Sequence, residues 1–158
     1  MKNSQIEQLI FQEFLKVKNL KVINLVYSDH PDINFELNNK KIGVELSEIL
    51  DERHEEEIKI AKSGGQALGY SFGPEYTVDK IRKCLIKKLN KDYSVPGHEI
   101  WLLCYTNHVT MQHMGKIFGE MPQIEALVFD FLARKRDVNR VIIFEMGLKE
   151  VVLEISRS

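Results

Sequence analysis

Residues 31–47 decide the fold of this chain, and they read PDINFELNNKKIGVELS. Two runs of alternating apolar and polar residues flank Asn38-Asn39. Asparagine tolerates the left-handed backbone conformation that a two-residue hairpin turn requires. The pattern therefore predicts a β-hairpin that turns at this dipeptide. The predicted pairs are Leu37 with Lys40, Phe35 with Ile42 and Ile33 with Val44.

This hairpin would bring two acidic side chains together. Continued outward, the same register places Asp32 directly opposite Glu45. Opposed residues of antiparallel strands have Cβ atoms roughly 4.5–5.5 Å apart, and like charges in that position destabilise the pairing. A bound divalent cation would compensate the repulsion, and Gly43 would leave space beside the pair. The alternative is a solvated face from which the two acids turn apart into water.

The two faces of the hairpin differ in polarity, as expected where one face of a strand pair covers a core. One face is apolar throughout and is predicted to be buried, whereas the other carries both acids. The apolar face comprises Ile33, Phe35, Leu37, Ile42, Val44 and Leu46, and the polar face comprises Asp32, Asn34, Glu36, Lys41, Gly43, Glu45 and Ser47.

The composition indicates an ordinary globular protein. The chain has 158 residues, of which 44% are hydrophobic and 28% charged, and its formal charge is −1. These values fit a single domain, residues 1–158, with a substantial core. The small net charge excludes a global basic field, although it allows a local basic patch. Because there are only two cysteines and no apolar run of signal-peptide or membrane-spanning type, we expect a cytoplasmic protein.

Helical and extended patterns follow one another in an order typical of an α/β protein. The strand over residues 99–105 is so apolar that both of its faces should be buried. The order implies a central mixed β-sheet with helices on its faces. The predicted helices cover residues 4–18, 78–91, 110–119 and 124–135, and the predicted strands cover 21–27, the hairpin 32–48, 99–105, 140–146 and 151–155.

Residues 49–76 carry the weakest structural signal. Residues 51–62 are rich in charge, Ser63-Gly64-Gly65 interrupts any helix there, and residues 69–74 are typical of a loop. We interpret this segment as a mobile flap inserted into the domain rather than as part of the core.

The hairpin resembles the signature of the PD-(D/E)XK nuclease superfamily, whose members share the restriction-endonuclease-like fold. The resemblance rests on Pro31-Asp32 and Val44-Glu45-Leu46-Ser47, with the glutamate thirteen positions after the aspartate. The order of elements is also similar: a leading helix, a hairpin with both acids, a basic helix and a buried strand. The passage from helix 78–91 into Trp101 resembles that of small bacterial and phage members. In element order the resemblance covers residues 4–155.

This resemblance implies that Asp32 and Glu45 bind Mg²⁺ or Mn²⁺. Mg²⁺ prefers a few carboxylate oxygens together with waters and substrate phosphate. Held there, it would lower the pKa of a bound water and neutralise charge on the phosphate. In the superfamily a glutamate of the leading helix often joins the site, and Glu13 is the predicted residue here, with Glu7 as a second candidate. Both glutamates also fit the solvent-exposed edge of the helix's apolar stripe.

Ser47 departs from the superfamily pattern. The resemblance places a lysine two positions beyond Glu45, where it helps to activate the attacking water, and Ser47 cannot supply that charge. Some members carry the basic residue on the following helix, and Arg82 and Lys88 both lie within the apolar arc of helix 78–91. Snorkelling of long side chains at a helix edge explains both equally well. Without a migrated base, Ser47 would orient the water, or activity would be weak or lost.

Basic residues of two clusters are candidates for contacts with nucleic acid, most simply DNA, through its phosphates. One cluster faces outward from helix 78–91, and the other is Arg134-Lys135-Arg136 with Arg140. The plainer interpretation of each is a solvated basic surface, and a homodimer is compatible with the sequence. The outward-facing lysines are Lys80, Lys83, Lys87 and Lys91.

Histidine and cysteine spacing does not indicate a structural zinc site. His108 and His113 are five positions apart, which suits neither an i,i+3 nor an i,i+4 pair on a helix. Cys104 is predicted to be a core residue of the buried strand, and Cys84 a residue of the helix face.

The sequence thus predicts an α/β protein of the restriction-endonuclease-like fold that hydrolyses phosphodiester bonds of nucleic acid with Mg²⁺. The alternative is a catalytically inactive member of the same fold that binds nucleic acid or protein. A third hypothesis is an immunity-type partner in bacterial or phage defence that binds protein through the acidic residues 51–57.

Overall fold

One six-stranded mixed β-sheet organises the chain, with its strands side by side in sequence order. The computed structural model describes residues 3–49, 74–106 and 120–157. The order of elements within these residues is the predicted one. The helices are α1 (Asn3–Lys18), α2 (Pro74–Ile86) and α3 (Met121–Arg134), and the strands are β1 (Ile23–Tyr27), β2 (Ile33–Leu37), β3 (Lys40–Glu48), β4 (His98–Thr106), β5 (Arg140–Glu145) and β6 (Glu150–Ser156).

Strand direction reverses three times across the sheet. Strand β2 is antiparallel to its neighbours β1 and β3, the strands β3, β4 and β5 are parallel, and β6 is antiparallel to β5. Each parallel step requires a crossover connection, and α2 and α3 lie in those two connections. Because both crossovers run in the same direction across the sheet and such connections are right-handed, α2 and α3 lie on the same face. The prediction of an α/β class with a mixed sheet is therefore confirmed.

The hairpin has the predicted register. Ile33 pairs with Val44, Phe35 with Ile42, and Leu37 with Lys40. Asn38 and Asn39 have φ angles of 51° and 66°, the left-handed conformation that this two-residue turn requires. The backbone ladder stops at the Ile33–Val44 pair.

Two cores lie on opposite faces of the sheet, and β3 contributes to both. On one face, Phe11 and Phe14 of α1 pack over the apolar face of the hairpin, with the Phe11 and Phe35 rings 5.5 Å apart. On the other face, α2 and α3 cover β4 and β5. The face of β3 that carries Glu45 and Ser47 is therefore buried as well, because α2 covers it.

Some predicted boundaries change and others are not tested. Helix α2 ends at Ile86, followed by turn residues, rather than at residue 91. The helix predicted over 110–119 and almost all of the segment 49–76 lie outside the described residues, as do the acidic residues 51–57. No helix among the described residues is long and apolar enough to cross a membrane.

Gly43 lets the loop before β2 lie close against β3. A Cβ atom at this position would lie 2.6 Å from Cγ of Pro31 and 3.1 Å from Cδ1 of Ile100. The space that the glycine leaves is thus filled by the Pro31 ring rather than by a ligand. This contact fixes the backbone immediately before Asp32.

We expect Gly43→Ala to lower the free energy of unfolding by about 1–3 kcal/mol, because the added methyl group overpacks this contact. Urea denaturation followed by circular dichroism measures the change. Pro31→Ala removes the ring atoms, so the double variant should lose less stability than the sum of the two single variants. Strict additivity would show that the ring is not what the methyl group meets.

Candidate metal centre

Asp32 is held at both its backbone and its side chain. Its carbonyl accepts a hydrogen bond from the Ser28 amide at 2.8 Å, and its Oδ2 accepts one from the Leu46 amide, also at 2.8 Å. The hydrogen bond from Leu46 thus orients the Asp32 carboxylate toward β3, the strand that also carries Glu45. Asp32 and Glu45 are not a ladder pair, but they lie close enough for the negative charge of Asp32 to raise the pKa of Glu45.

Glu45 lies on the buried face of β3, and 4% of its side chain is exposed. Its Oε1 lies 3.4 Å from Nζ of Lys88, whose side chain is only 12% exposed. Oε2 is buried and has no hydrogen-bond partner among the described residues. A buried carboxylate oxygen without a partner is unfavourable, since its desolvation is not compensated. The oxygen has the chemistry of an open ligand position for a cation.

Burial raises the pKa values of both acids above their usual range. For Asp32 the Leu46 amide, the Lys88 ammonium and the nearby His30 partly oppose this rise. For Glu45 the charge of Asp32 adds to the effect of burial, and Lys88 opposes it. Because the negative charge of one acid disfavours ionisation of the other, the two acids titrate as a pair. Two desolvated carboxyls with one lysine form a site that gains from a further positive charge.

Glu7 of α1 is the third acid of this site. Its pKa is raised from 4.5 to about 7 by burial and by the negative charges of Asp32 and Glu45. Glu48, at the end of β3, adds to the same field. The structure therefore brings the second candidate of the leading helix, rather than the first, to the acidic pair.

Glu13 lies elsewhere, which corrects its predicted place beside the acidic pair. Its carboxylate lies 3.4 Å from Nζ of Lys16 and 3.5 Å from Nζ of Lys149, and these lysines lower its pKa. Six residues of helix separate it from Glu7 by about 120° in rotation and about 9 Å along the axis. Glu13 consequently faces the β5–β6 turn, away from Asp32.

Of the two candidates for a migrated base, the structure brings Lys88 to the site. Arg82 pairs with Asp79 of its own helix at 3.5 Å and is half exposed. Lys88 lies in the turn after α2, where its amide donates to the Leu85 carbonyl, and its side chain returns to Glu45. His30, which the sequence did not single out, is exposed and has Nδ1 3.8 Å from Glu45 Oε1.

Ser47 makes a different contact from the one expected of a water-orienting group. Its hydroxyl lies 3.1 Å from the Cys84 sulfur in the core under α2. Cys84 and Cys104 are both buried free thiols, which confirms the prediction of Cys104 as a core residue and places Cys84 on the buried face of α2. Ser47 therefore packs toward the helix, one side-chain position further along β3 than Glu45.

The basic residues proposed for phosphate contacts divide into exposed and internally bound ones. Lys80 is 6% exposed, which contradicts its predicted outward orientation. Lys87 and Lys91 are exposed, and Lys83 is half exposed with its ammonium 3.4 Å from Asp79. The remaining cluster serves largely the fold, since Arg134 pairs with Asp130, Lys135 with Asp137, and Arg140 with Glu154 and the Trp101 ring.

The donor set fits a hydrated divalent cation better than a fully protein-bound one. Within residues 3–49, 74–106 and 120–157, no three His, Cys, Asp or Glu side chains converge closely enough to hold a metal ion by themselves. Mg²⁺ commonly binds through one or two carboxylates and keeps several waters. Asp32 and Glu45, with the unpartnered Oε2, meet that requirement, and Glu7 would act from a longer distance.

Comparison of the chain with protein-family models, with curated proteins and with solved structures found no match. The site is therefore described by its own geometry.

We expect the free energy of unfolding to fall as the pH rises from about 5 to 8. The folded protein keeps protons on Glu7, Asp32 and Glu45 that the unfolded chain has already released, so ionisation above the unfolded pKa values favours unfolding. Glu7→Gln should make this fall smaller. Urea titrations at several pH values in metal-free buffer measure it.

Glu13→Gln is the matched control, because it removes a carboxylate of the same helix whose pKa is lowered. This variant should keep the slope of the wild type between pH 5 and 8. A wild-type stability that is flat or rises over this range would contradict the assignment of raised pKa values to the acidic cluster.

Proposed function

We propose that this chain is a divalent-metal-dependent phosphodiesterase that acts on nucleic acid, with the restriction-endonuclease-like fold. The observation that carries the proposal is the Lys88 ammonium 3.4 Å from Glu45 Oε1, beside the Asp32 carboxyl. Two acids and one lysine are the charge types that the PD-(D/E)XK signature combines. Here the lysine comes from the turn after α2 rather than from β3.

In this proposal, Asp32 and Glu45 hold Mg²⁺ or Mn²⁺ through Glu45 Oε2 and the Asp32 carboxylate. The cation supplies charge neutralisation at the phosphate and a lowered pKa for a bound water. The Leu46 amide keeps the Asp32 carboxylate in one orientation, so little reorganisation is needed when a substrate arrives. The burial of both acids strengthens each electrostatic interaction in the site.

Lys88 replaces the charge that is missing at Ser47. Its ammonium is nearly buried and already faces the acids, so it can orient a water or contact a phosphate oxygen without a conformational change. A positioned positive charge stabilises negative charge that develops on the phosphate in the transition state. Ser47, which bonds to Cys84, has a structural role in this scheme.

Exposed lysines on either side of Lys88 in the sequence support a polyanionic substrate. Lys87 and Lys91 are exposed and lie within a few residues of the lysine that contacts Glu45. Each phosphate neutralised by such a side chain releases counterions and makes the affinity salt-dependent. These contacts supply affinity without sequence specificity.

The decisive test is cleavage of plasmid DNA, single-stranded DNA and RNA over a titration of Mg²⁺ and Mn²⁺. Glu45→Gln and Asp32→Asn should abolish metal-dependent cleavage. Lys88→Ala should lower kcat by about 10²–10³-fold, the usual cost of losing one electrostatic contact to the transition state.

Two control variants change residues that this proposal places outside the catalytic group. Ser47→Ala should cost far less activity than Lys88→Ala, because the serine faces Cys84. Glu13→Gln should retain wild-type cleavage, since Glu13 lies at the β5–β6 turn. Salt-sensitive binding of nucleic acid without cleavage under any metal condition would instead identify a catalytically inactive binding module.

A further inference from the structure

A small polar cavity opens beside the acidic cluster, between the first half of α1 and the segment that joins β1 to β2. Its volume is about 230 Å³. It shares two of its walls, Glu7 and Asp32, with the candidate metal centre. The lining residues are Ser4, Glu7, Gln8, Tyr27, Ser28, Asp29, Asp32 and Ile33.

The chemistry of the lining selects against phosphate and favours a neutral polar group. Three carboxyl side chains, Glu7, Asp29 and Asp32, would repel an anion. Gln8 offers an amide donor and an amide acceptor, and the hydroxyl group of Ser4 adds a further hydrogen-bonding position. The cavity is smaller than the roughly 300–1,000 Å³ of pockets for drug-sized ligands, so it suits a compact ligand.

Tyr27 provides a fixed aromatic wall. Its hydroxyl accepts a hydrogen bond from Nε2 of Gln12 at 3.4 Å, which joins the end of β1 to α1. The adjoining Ser28 hydroxyl donates to the Pro31 carbonyl and accepts from Nδ2 of Asn34, each at 2.8 Å. The segment that forms the floor is therefore held by hydrogen bonds.

A phosphodiester held at Asp32 and Glu45 carries two ester-linked groups, called its two arms below, one on each side of the phosphate. One arm can follow the turn after α2, where Lys87 and Lys91 are exposed. The cavity lies at α1 and the β1–β2 segment, next to Asp32, and can take the other arm. A nucleoside is neutral, combines a ring with donors and acceptors, and stacks on aromatic side chains.

We propose that this cavity is a nucleoside subsite, which binds the base and sugar on one side of the scissile phosphate. The proposal rests on the proposed function and makes it more specific, because it assigns one nucleoside of the substrate to a defined cavity. Tyr27 and Gln8 are the specificity-determining residues, through ring contact and hydrogen bonding respectively.

Binding of the nucleoside is tested without metal and without chemistry. Thymidine and adenosine are titrated into the ¹⁵N-labelled protein, and amide shifts are followed by NMR. The largest shifts should occur at Gln8, Tyr27 and Ser28 for at least one nucleoside. Tyr27→Ala and Gln8→Ala should each weaken its binding about fivefold or more, the change that corresponds to the lower end of base–aromatic stacking.

Gln123→Ala, on α3 in the groove between α2 and α3, is the control and should bind as the wild type. The absence of shifts in the cavity with both nucleosides, or unchanged affinity in both cavity variants, overturns the subsite. The spectra also report whether each variant is folded.

Catalysis provides the second arm of the experiment. The 5′- and 3′-(p-nitrophenyl phosphate) esters of thymidine are compared with methyl p-nitrophenyl phosphate, which lacks a nucleoside. In the wild type, kcat/KM for the better nucleotide ester should exceed that for the methyl ester about tenfold or more, and both cavity variants should reduce this ratio. Equal rates, or a ratio that the variants do not change, overturn the subsite.

The two arms separate the two proposals. Nucleoside binding without hydrolysis of any ester and without cleavage of plasmid DNA, single-stranded DNA or RNA supports the subsite and overturns the proposed function. Hydrolysis of the methyl ester as fast as of the nucleotide esters supports a phosphodiesterase and overturns the subsite.

Discussion

The burial of Glu45 on a strand covered on both faces is the constraint from which the site follows. Strand β3 packs against α1 on one side and against α2 on the other, so its acidic side chain lies in a desolvated layer rather than in water. A buried carboxylate requires partners, and Lys88 supplies only one, at Oε1. The raised pKa of Glu45 and the unpartnered Oε2 are both consequences of that incomplete compensation.

The position of Asp32 depends on the same strand. The hairpin ladder ends one residue before it, and the Leu46 amide bonds to its carboxylate instead of to another strand. Close packing of Pro31 on Gly43 sets the approach of this segment. The β3 backbone therefore orients one acid while the β3 side chain provides the other, so a shift of the strand would disturb both together.

Period-two alternation made the hairpin predictable, because only one register buries all of its apolar residues. The Asn38-Asn39 turn agrees with that register, and the contact of Asp32 with Glu45 follows from it. The order of elements was equally accessible, since each parallel step needs a crossover helix. The sequence did not show whether Glu45 lies on a solvated or a buried face, because nothing in the local pattern indicates that α2 covers it.

Helix-borne side chains were the least predictable part of the site. Glu7 and Glu13 both border the apolar stripe of α1, and helical periodicity gives an angle around the axis but not the position of the helix over the sheet. Glu7 lies over the end of β3, whereas Glu13 reaches Lys149 on the far side. Arg82 and Lys88 posed the same ambiguity. Lys80 was assigned outward from its angle alone, although the packing around α2 buries it.

The positive charge of the site belongs to Lys88, in the turn after α2, rather than to a lysine on β3. This difference changes which part of the fold positions the charge. A lysine at position 47 would be placed by the same strand as Glu45, whereas Lys88 is placed by the packing of Cys84 and Leu85 against the sheet. The Lys88 amide bonds to the Leu85 carbonyl, so the turn that carries the lysine is an extension of the buried end of α2. Ser47 and Cys84 join that helix to β3 from within the core. The serine thereby occupies the position of the missing lysine and also helps to anchor the helix whose following turn carries Lys88.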